Sequence, residues 1–245
     1  SFKRYLRSLS GNEPVPLTTD KALFHLHCVE QGLPGIPVIC AIGDVRGFSK
    51  VGVPLVHTVE DWNAVVEAAP AELFIKPVGG SHGEGAFTVS RTGDGYAYIG
   101  RIGTAEAIYR HLVSKLAEHR AWLVQSRLRP ASVLEAISSA HGLPTVRAVT
   151  VMRNGAAELL IADLKIPVGK NIIDNFSGGS TGNLVAPIDY ESGRLGPAWG
   201  SIDAQWPLMN TIERHPDTGN RIEGFELPFW SDLVSLVLRA QQTIP

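Results

Sequence analysis

The stretch Phe74-Ile-Lys76-Pro-Val-Gly79-Gly80-Ser81-His-Gly83-Glu-Gly85-Ala86 constrains this chain more than any other. A short apolar run carries one lysine and leads into four glycines within seven positions. Glycine tolerates positive φ and close approach, so successive N–H groups can converge on phosphate oxygens. The order of parts separates the nucleotide folds. A P-loop sets its lysine after the glycines, and no such lysine follows here. A dinucleotide fingerprint opens a helix, whereas the residues after Gly85 alternate as a strand does. A protein kinase puts its glycine loop ahead of the strand lysine; here Lys76 comes first. The order predicts a lysine-bearing strand, a glycine loop and a returning strand. A plain hairpin loop beside a surface lysine fits the same residues, and this segment alone leaves both readings open.

The surroundings read as alternating helix and strand. Thr18 or Thr19 is positioned to cap a helix over 20–31, with Ala22, Leu23, Leu26 and Val29 as its apolar stripe. Ile36-Pro-Val-Ile-Cys-Ala-Ile42 reads as a buried strand, and Thr58-Val-Glu-Asp61 as a capping box ahead of Trp62, Val65 and Val66. A hairpin is expected around Gly93-Asp-Gly95, a helix over 105–118, a strand over 121–125 and a short helix over 132–140. Further on the chain becomes β-rich. Thr145–Arg153 and Ala156–Ile166 flank Asn154-Gly155, the strongest short-range hairpin signal. A Gly/Asn-rich loop over 168–182, a strand over 184–188 and a last helix over 231–242 complete the pattern. Helix–strand units followed by antiparallel hairpins imply an α+β fold in two lobes.

Composition excludes several classes of function. Lys plus Arg is 22 against 24 for Asp plus Glu, so no global positive field exists to hold nucleic acid. No apolar run reaches the ~20 residues of a membrane span, and no leader-type segment opens the chain. Cys28 and Cys40 read as buried free thiols. The expectation is a cytoplasmic protein without membrane insertion. The eight histidines form no ligand pattern. His82, inside the glycine loop, is the one to watch.

A strand lysine followed by a glycine flap resembles the ATP-grasp superfamily, and further segments agree in order. Thr19-Asp20-Lys21 and Gly32-Leu-Pro-Gly-Ile-Pro37 look like its entry segment, and Ala121-Trp-Leu-Val-Gln125-Ser-Arg-Leu128 falls at its adenine hinge. Thr145-Val-Arg147 and Ile161-Ala-Asp-Leu-Lys165 resemble its two phosphate-facing strands. Asp174-Asn175-Phe-Ser-Gly-Gly, His215-Pro-Asp-Thr-Gly219 and Gly224-Phe-Glu-Leu-Pro-Phe-Trp230 look like the sugar-transfer-associated branch, close to the alpha-L-glutamate ligase-like proteins.

The resemblance implies an ATP-grasp-like α+β fold with the nucleotide between two lobes. It implies segments 1–57 (an incomplete N-terminal helix–strand part), 58–128 (a small lobe with the glycine flap) and 129–245 (a β-rich lobe, truncated). Lys21 and Lys76 would reach the ATP phosphates, and Gly79, Gly80, Ser81, Gly83 and Gly85 would cover them. Gln125, Arg127 and Leu128 would offer backbone groups to adenine. Arg147 and Lys165 would stabilise the transferring phosphoryl group, with Asn175 holding the region from its loop. Each has a structural alternative: a solvated first-turn lysine for Lys21, ion-pair partners for Arg147 and Lys165, a turn residue for Asn175. Two departures stand out. Ser126 sits where the hinge usually has an acidic residue, and no Asp with a Glu-x-Asn motif follows Leu233 to hold Mg²⁺. The metal ligands are expected beyond Pro245 or not at all.

Three functions are consistent with this. The first is an ATP-dependent ligase that makes an acyl-phosphate from a small carboxylate and passes it to an amine, with a link to polysaccharide or surface-glycan synthesis. The others are a small-molecule kinase and a non-catalytic nucleotide-binding module. The hairpin poses a problem for all readings that use both strand cations. An unbroken ladder around Asn154-Gly155 pairs Arg147 with Ala162, and Lys165 then faces away from Arg147. Both share a face only if the register shifts, expected between Ala162 and Lys165.

Overall fold

Alternating apolar residues build two separate sheets in the computed structural model, which describes residues 16–201 and 208–244. The chain divides into two compact units with the boundary between Arg127 and Leu128. The first draws strands from both of the first two expected segments.

In the first unit the described strands are β1 (Val38–Gly43), β2 (Leu55–Val56), β3 (Glu72–Pro77), β4 (Phe87–Thr92), β5 (Gly95–Tyr98), β6 (Arg101–Gly103) and β7 (Ala121–Ser126), in the order β2-β1-β7-β3-β4-β5-β6. Its longer helices are α1 (Lys21–Glu30), α2 (Val59–Ala68) and α3 (Ala105–Ser114), beside the short turns Pro16–Thr19 and Leu116–His119. β7 is buried at every position from Ala121 to Gln125. The reason is that both of its faces are covered. Trp122 and Val124 join Trp62, Val66, Ile108 and Leu112 from α2 and α3. Ala121 and Leu123 join Ala22 of α1 and Phe48 on the other side. The two indole N–H groups in this core are satisfied: Trp62 donates to Ala105 O at 2.8 Å and Trp122 to Leu112 O at 3.0 Å. Both bonds end on α3, so burial and hydrogen bonding fix that helix together. Full burial of such side chains stabilises by roughly 1.5–3 kcal/mol each.

The capping box at Thr58 and Asp61 forms as expected. The start of α1 differs. Thr18 and Thr19 belong to a short helical turn of their own, Pro16–Thr19, and Asp20 is the cap, accepting from the N–H groups of Ala22 and Leu23. The stripe on α1 differs too. Ala22 and Cys28 are buried, while Leu23 and Val29 are 41% and 48% exposed. Small residues face the sheet and let the helix sit close to it. Burial pushes the thiol of Cys40 up to about 12, so it stays neutral.

The second unit holds β8 (Thr145–Arg153), β9 (Ala156–Ile166), β10 (Leu184–Pro187), β11 (Ala198–Ser201) and β12 (Met209–Ile212), in the order β12-β11-β10-β9-β8, with α4 (Trp230–Thr243). One sheet face is apolar: Ala162, Leu164, Ile166, Leu184, Ala186 and Ala198 are buried there with Trp230. The residues alternating with them, including Arg147, Asp163 and Lys165, point to the opposite face. The expected helix over 132–140 is a 3₁₀ segment, Ser132–Ile137. β11 and β12 have only four residues each and no apolar run that announces them.

The β8–β9 hairpin turns on Asn154 (φ 52°) and Gly155 (φ 81°), the left-handed pair that a two-residue turn requires. Arg153 pairs with Ala156 as the turn dictates, and the ladder runs unbroken to Thr150 and Leu159. Val149 then pairs with Ile161, leaving Leu160 as an unpaired extra residue. Beyond that bulge Arg147 lies opposite Asp163 and Thr145 opposite Lys165. The register does shift, but nearer the turn than expected, before Ala162 rather than after it. Lys165 therefore shares a face with Arg147.

Candidate functional site

In the first unit, Lys76 stands on β3 opposite Leu123 of β7, on the face that α1 covers. It is half-buried, and no hydrogen bond or ion pair joins it to another described residue. Burial, and secondarily the charge of Lys21, holds its ammonium below the ordinary lysine range. A half-buried cation without a counter-ion is costly, and an anionic ligand removes that cost.

Lys21 bonds to the glycine loop itself. Its ammonium donates to the carbonyls of Gly79 at 2.9 Å, Gly80 at 3.0 Å and Val78 at 3.4 Å. Its backbone N–H also donates to Val78 O at 3.0 Å. Lys21 thus fastens the first turn of the glycine loop to the start of α1. Its own pKa is lowered by burial, against the raising effect of Asp20. Asp20 caps α1 and pairs with Arg120.

Beyond Gly80 the loop is held only locally. The N–H of Glu84 donates to Ser81 O and that of Ala86 to Gly83 O, both at 3.1 Å. Gly80, Gly83 and Gly85 all take positive φ, and Gly79 and Gly80 have open space where a side chain would stand. Ser81 and His82 bond to each other through Oγ and Nδ1 at 2.8 Å. The loop backbone is therefore accessible and weakly tied, as a phosphate cover must be. Amide hydrogen exchange of residues 79–85 is expected to be fast in the free protein and slower with ATP. Equal protection in both states would remove the loop from the nucleotide site.

At the expected hinge, two side chains are spent internally. Gln125, 4% exposed, donates to Ile36 O at 3.0 Å. Arg127 pairs with Glu72 at 3.1 Å, and its N–H donates to Glu72 O. Their side chains build the scaffold, which leaves any purine contact to backbone groups near Ser126. Leu128 is 43% exposed.

In the second unit the bulge gathers charges that the numbering keeps apart. Arg147, Asp163 and Lys165 share one face, and Asp174 reaches the same strand pair through a hydrogen bond from Thr145. Arg147 is exposed and Lys165 half-buried. Neither forms a hydrogen bond or ion pair with another described residue. The Asp163 carboxyl is raised by burial, lowered by Lys165 and Arg147, and raised again by Asp174. Its Oδ1 is buried with no hydrogen-bond partner.

The loop over 168–182 is organised by a residue that sequence reading passed over. Asn183 is 1% exposed and uses its whole amide. Its Oδ1 accepts from Val168 N–H at 3.1 Å and Asn171 Nδ2 at 2.8 Å. Its Nδ2 donates to Ile173 O and Asn175 O, both at 2.8 Å. Asn175 is thereby held by its backbone beside Asp174. The His215-Pro-Asp-Thr-Gly219 turn fastens the base of the same loop. His215, 1% exposed, accepts from Asp217 N–H through Nδ1, so Nε2 carries the proton and bonds to Pro167 O at 3.1 Å. Asp217 accepts from Gly169 N–H at 2.7 Å. His215→Ala removes a buried ring and its two hydrogen bonds, although Pro167 O keeps the one from Ser139 N–H at 3.2 Å, and is expected to cost on the order of 2 kcal/mol. Urea unfolding checks this: the midpoint should fall with the slope unchanged.

Among the described residues no group of three His, Cys, Asp or Glu side chains forms a metal site. No helix there is long and apolar enough to cross a membrane.

A model of the family described as sugar-transfer associated ATP-grasp matches residues 2–245. The D-alanine-D-alanine ligase structure from Coxiella burnetii aligns with a TM-score of 0.34 and 13% identity, over 93% of this chain and 58% of that one. The Helicobacter pylori D-alanine-D-alanine ligase aligns with a TM-score of 0.34 and 11% identity, over 94% and 59%. The chain spans less than two thirds of either structure's length. No curated protein matches it.

Proposed function

The chain belongs to the sugar-transfer associated ATP-grasp family, and on that premise we propose that it is an ATP-dependent ligase that activates a small carboxylate as an acyl-phosphate. An amine then displaces phosphate. The observation that carries this reading is the shared face of Arg147 and Lys165 beyond the Leu160 bulge. Two cations on one face, neither closed into an ion pair with a described residue, suit the charge that develops as a phosphoryl group moves to a carboxylate.

The residues of the first unit fit ATP. Lys76 offers a half-buried positive charge, and the open backbone at Gly79 and Gly80 leaves room for phosphate oxygens. Ser81, Gly83 and Gly85 extend the same cover. Lys21 acts at one remove, holding the loop by its carbonyls. Gln125 and Arg127 position the adenine edge, whose contacts fall to backbone groups at Ser126 and at Leu128 beyond them. Asn175 and Asp174 border the transfer face. ATP supplies the phosphoryl group; Arg147 and Lys165 orient it and balance its charge. The described residues offer Mg²⁺ no group of three His, Cys, Asp or Glu ligands. The family reading alone supports a place in surface-glycan synthesis, and the two buried free thiols support a cytoplasmic location.

Hydroxylamine tests the chemistry without knowledge of the acceptor. The protein is incubated with ATP, Mg²⁺, hydroxylamine and mixed small carboxylates. Hydroxamate should appear together with ADP. ATP consumed with a phosphorylated alcohol and no hydroxamate would make the protein a kinase. No turnover with any carboxylate would reduce it to a binding module.

A further inference from the structure

Lys21 has no donor left for a ligand. Its ammonium carries three hydrogens, and the carbonyls of Val78, Gly79 and Gly80 take all three. Within the first unit that sets Lys76 against a triphosphate with several negative charges. The group placed to add to it is on α1. His25 follows Lys21 by four residues, one turn or about 5.4 Å along the helix. Ala22 and Cys28 are buried on the sheet side of α1, and His25 is half-buried between them. Lys21 is pinned through its N–H to Val78 O. Lys76 stands two residues back along the chain from Val78, about 6.6 Å. The two steps are alike in length, and the positive charge of Lys76 is felt at the His25 ring. Lys76 also lies in one cross-strand row with Leu123 and Ala41, the row that α1 covers.

The imidazole has no polar partner of its own. Phe48 packs against it, with ring centroids 5.5 Å apart and planes tilted by 59°. No hydrogen bond or ion pair joins it to another described residue. Asp44, Arg46 and Lys50, the charged residues beside Phe48, are exposed. β7 and β1 offer only Leu123 and Ala41 on this row. Burial, and secondarily Lys76, holds the ring below the ordinary histidine range, so the free protein carries it uncharged at neutral pH. An anion set against Lys76 offsets that repulsion and adds an attraction.

We propose that His25 is a phosphate-binding residue of the nucleotide site, meeting the anion beside Lys76 as an imidazolium. This rests on the ATP reading and deepens it. The proton comes from solvent: the ring takes one up as nucleotide binds and returns it as nucleotide leaves. The sign follows. Binding is tightest where the ring is protonated and weakens as pH rises through the range in which bound His25 loses its proton. A histidine here spares the free protein a permanent second charge beside Lys76.

The test uses adenylyl imidodiphosphate with Mg²⁺, an ATP analogue that is not turned over. It is titrated calorimetrically into the whole chain between about pH 6 and 8.5, in buffers of different ionisation enthalpy. Proton uptake is read from the buffer dependence of the enthalpy. Near neutral pH the wild-type protein should take up most of one proton more than His25→Gln. Affinity of His25→Gln should be about five- to tenfold weaker at the acid end and converge on the wild type at the alkaline end. The His25 ring ¹H signal, identified by its loss in His25→Gln, should move to the imidazolium position when the analogue is added. Equal proton uptake in the two proteins would overturn the proposal. So would a ring signal that stays neutral with the analogue bound. A loss of affinity that is the same at every pH would make His25 a packing residue on Phe48 and overturn it as well. Each of these leaves the ATP reading standing, because the wild type still binds. A wild type that binds no analogue at any pH would bring down both.

Discussion

Replacing Lys76 with alanine is expected to weaken ATP binding by roughly ten- to a hundredfold. One charge-assisted contact to phosphate contributes about 1.5–3 kcal/mol, and about 1.4 kcal/mol is a factor of ten. The upper end applies here because the ammonium is half-buried and shares its charge with no described residue. Calorimetric titration with ATP and Mg²⁺ measures the loss directly, and equal affinities would sink the assignment. A pH arm isolates the cause. Burial and Lys21 hold Lys76 below the ordinary lysine range. Phosphate favours the ammonium form. Affinity should therefore be complete at pH values below that lowered pKa and fall as pH rises through it. The Lys76→Ala protein should lack this alkaline decline.

Arg147→Ala and Lys165→Ala should each lower hydroxamate formation by about 10²–10³-fold, the usual loss when one preorganised contact to developing charge is removed. ATP affinity should change by less than about tenfold, since contacts made in the transition state act on rate rather than on ground-state binding. The pair belongs together because of the bulge. If only one variant loses activity, the other residue is a bystander on the same face. Wild-type rates in both would detach the hairpin from the chemistry.

Much of the first unit is legible in the sequence. The lysine-then-glycine order gave β3, its loop and β4, because a strand lysine and a run of glycines are local signals. The capping box at Thr58 was equally local. Lys21 was harder. Its position at the helix start was readable, but its bonding depends on Val78, Gly79 and Gly80, 57 to 59 residues away. Long-range hydrogen bonds leave no trace in spacing. Asn183 and His215 were hidden for the same reason: their partners lie in a loop without periodicity.

The hairpin shows a subtler limit. Its turn fixed the pairing near Asn154-Gly155, and counting outward put Lys165 on the wrong face. Nothing in Leu159-Leu160-Ile161 marks which residue will be left out. One fact needed no counting across the turn. Asp163 and Lys165 are two apart on one strand, so they share a face wherever the bulge falls. Asp163 was therefore legible from the start and was passed over beside the more conspicuous cations.

The bulge has a consequence for how this protein tolerates changes in length. From the turn to Lys165 the second arm of the hairpin is one residue longer than the first arm from the turn to Thr145. Leu160, 54% exposed, is that surplus. Deleting it would leave every existing pair in place and make the two arms equal. Deleting a residue from the facing stretch of β8, between Ala148 and Arg153, would double the mismatch instead. The hairpin tip is thus asymmetric: a residue lost from one strand is expected to leave the register intact, and a residue lost from the other to shift it.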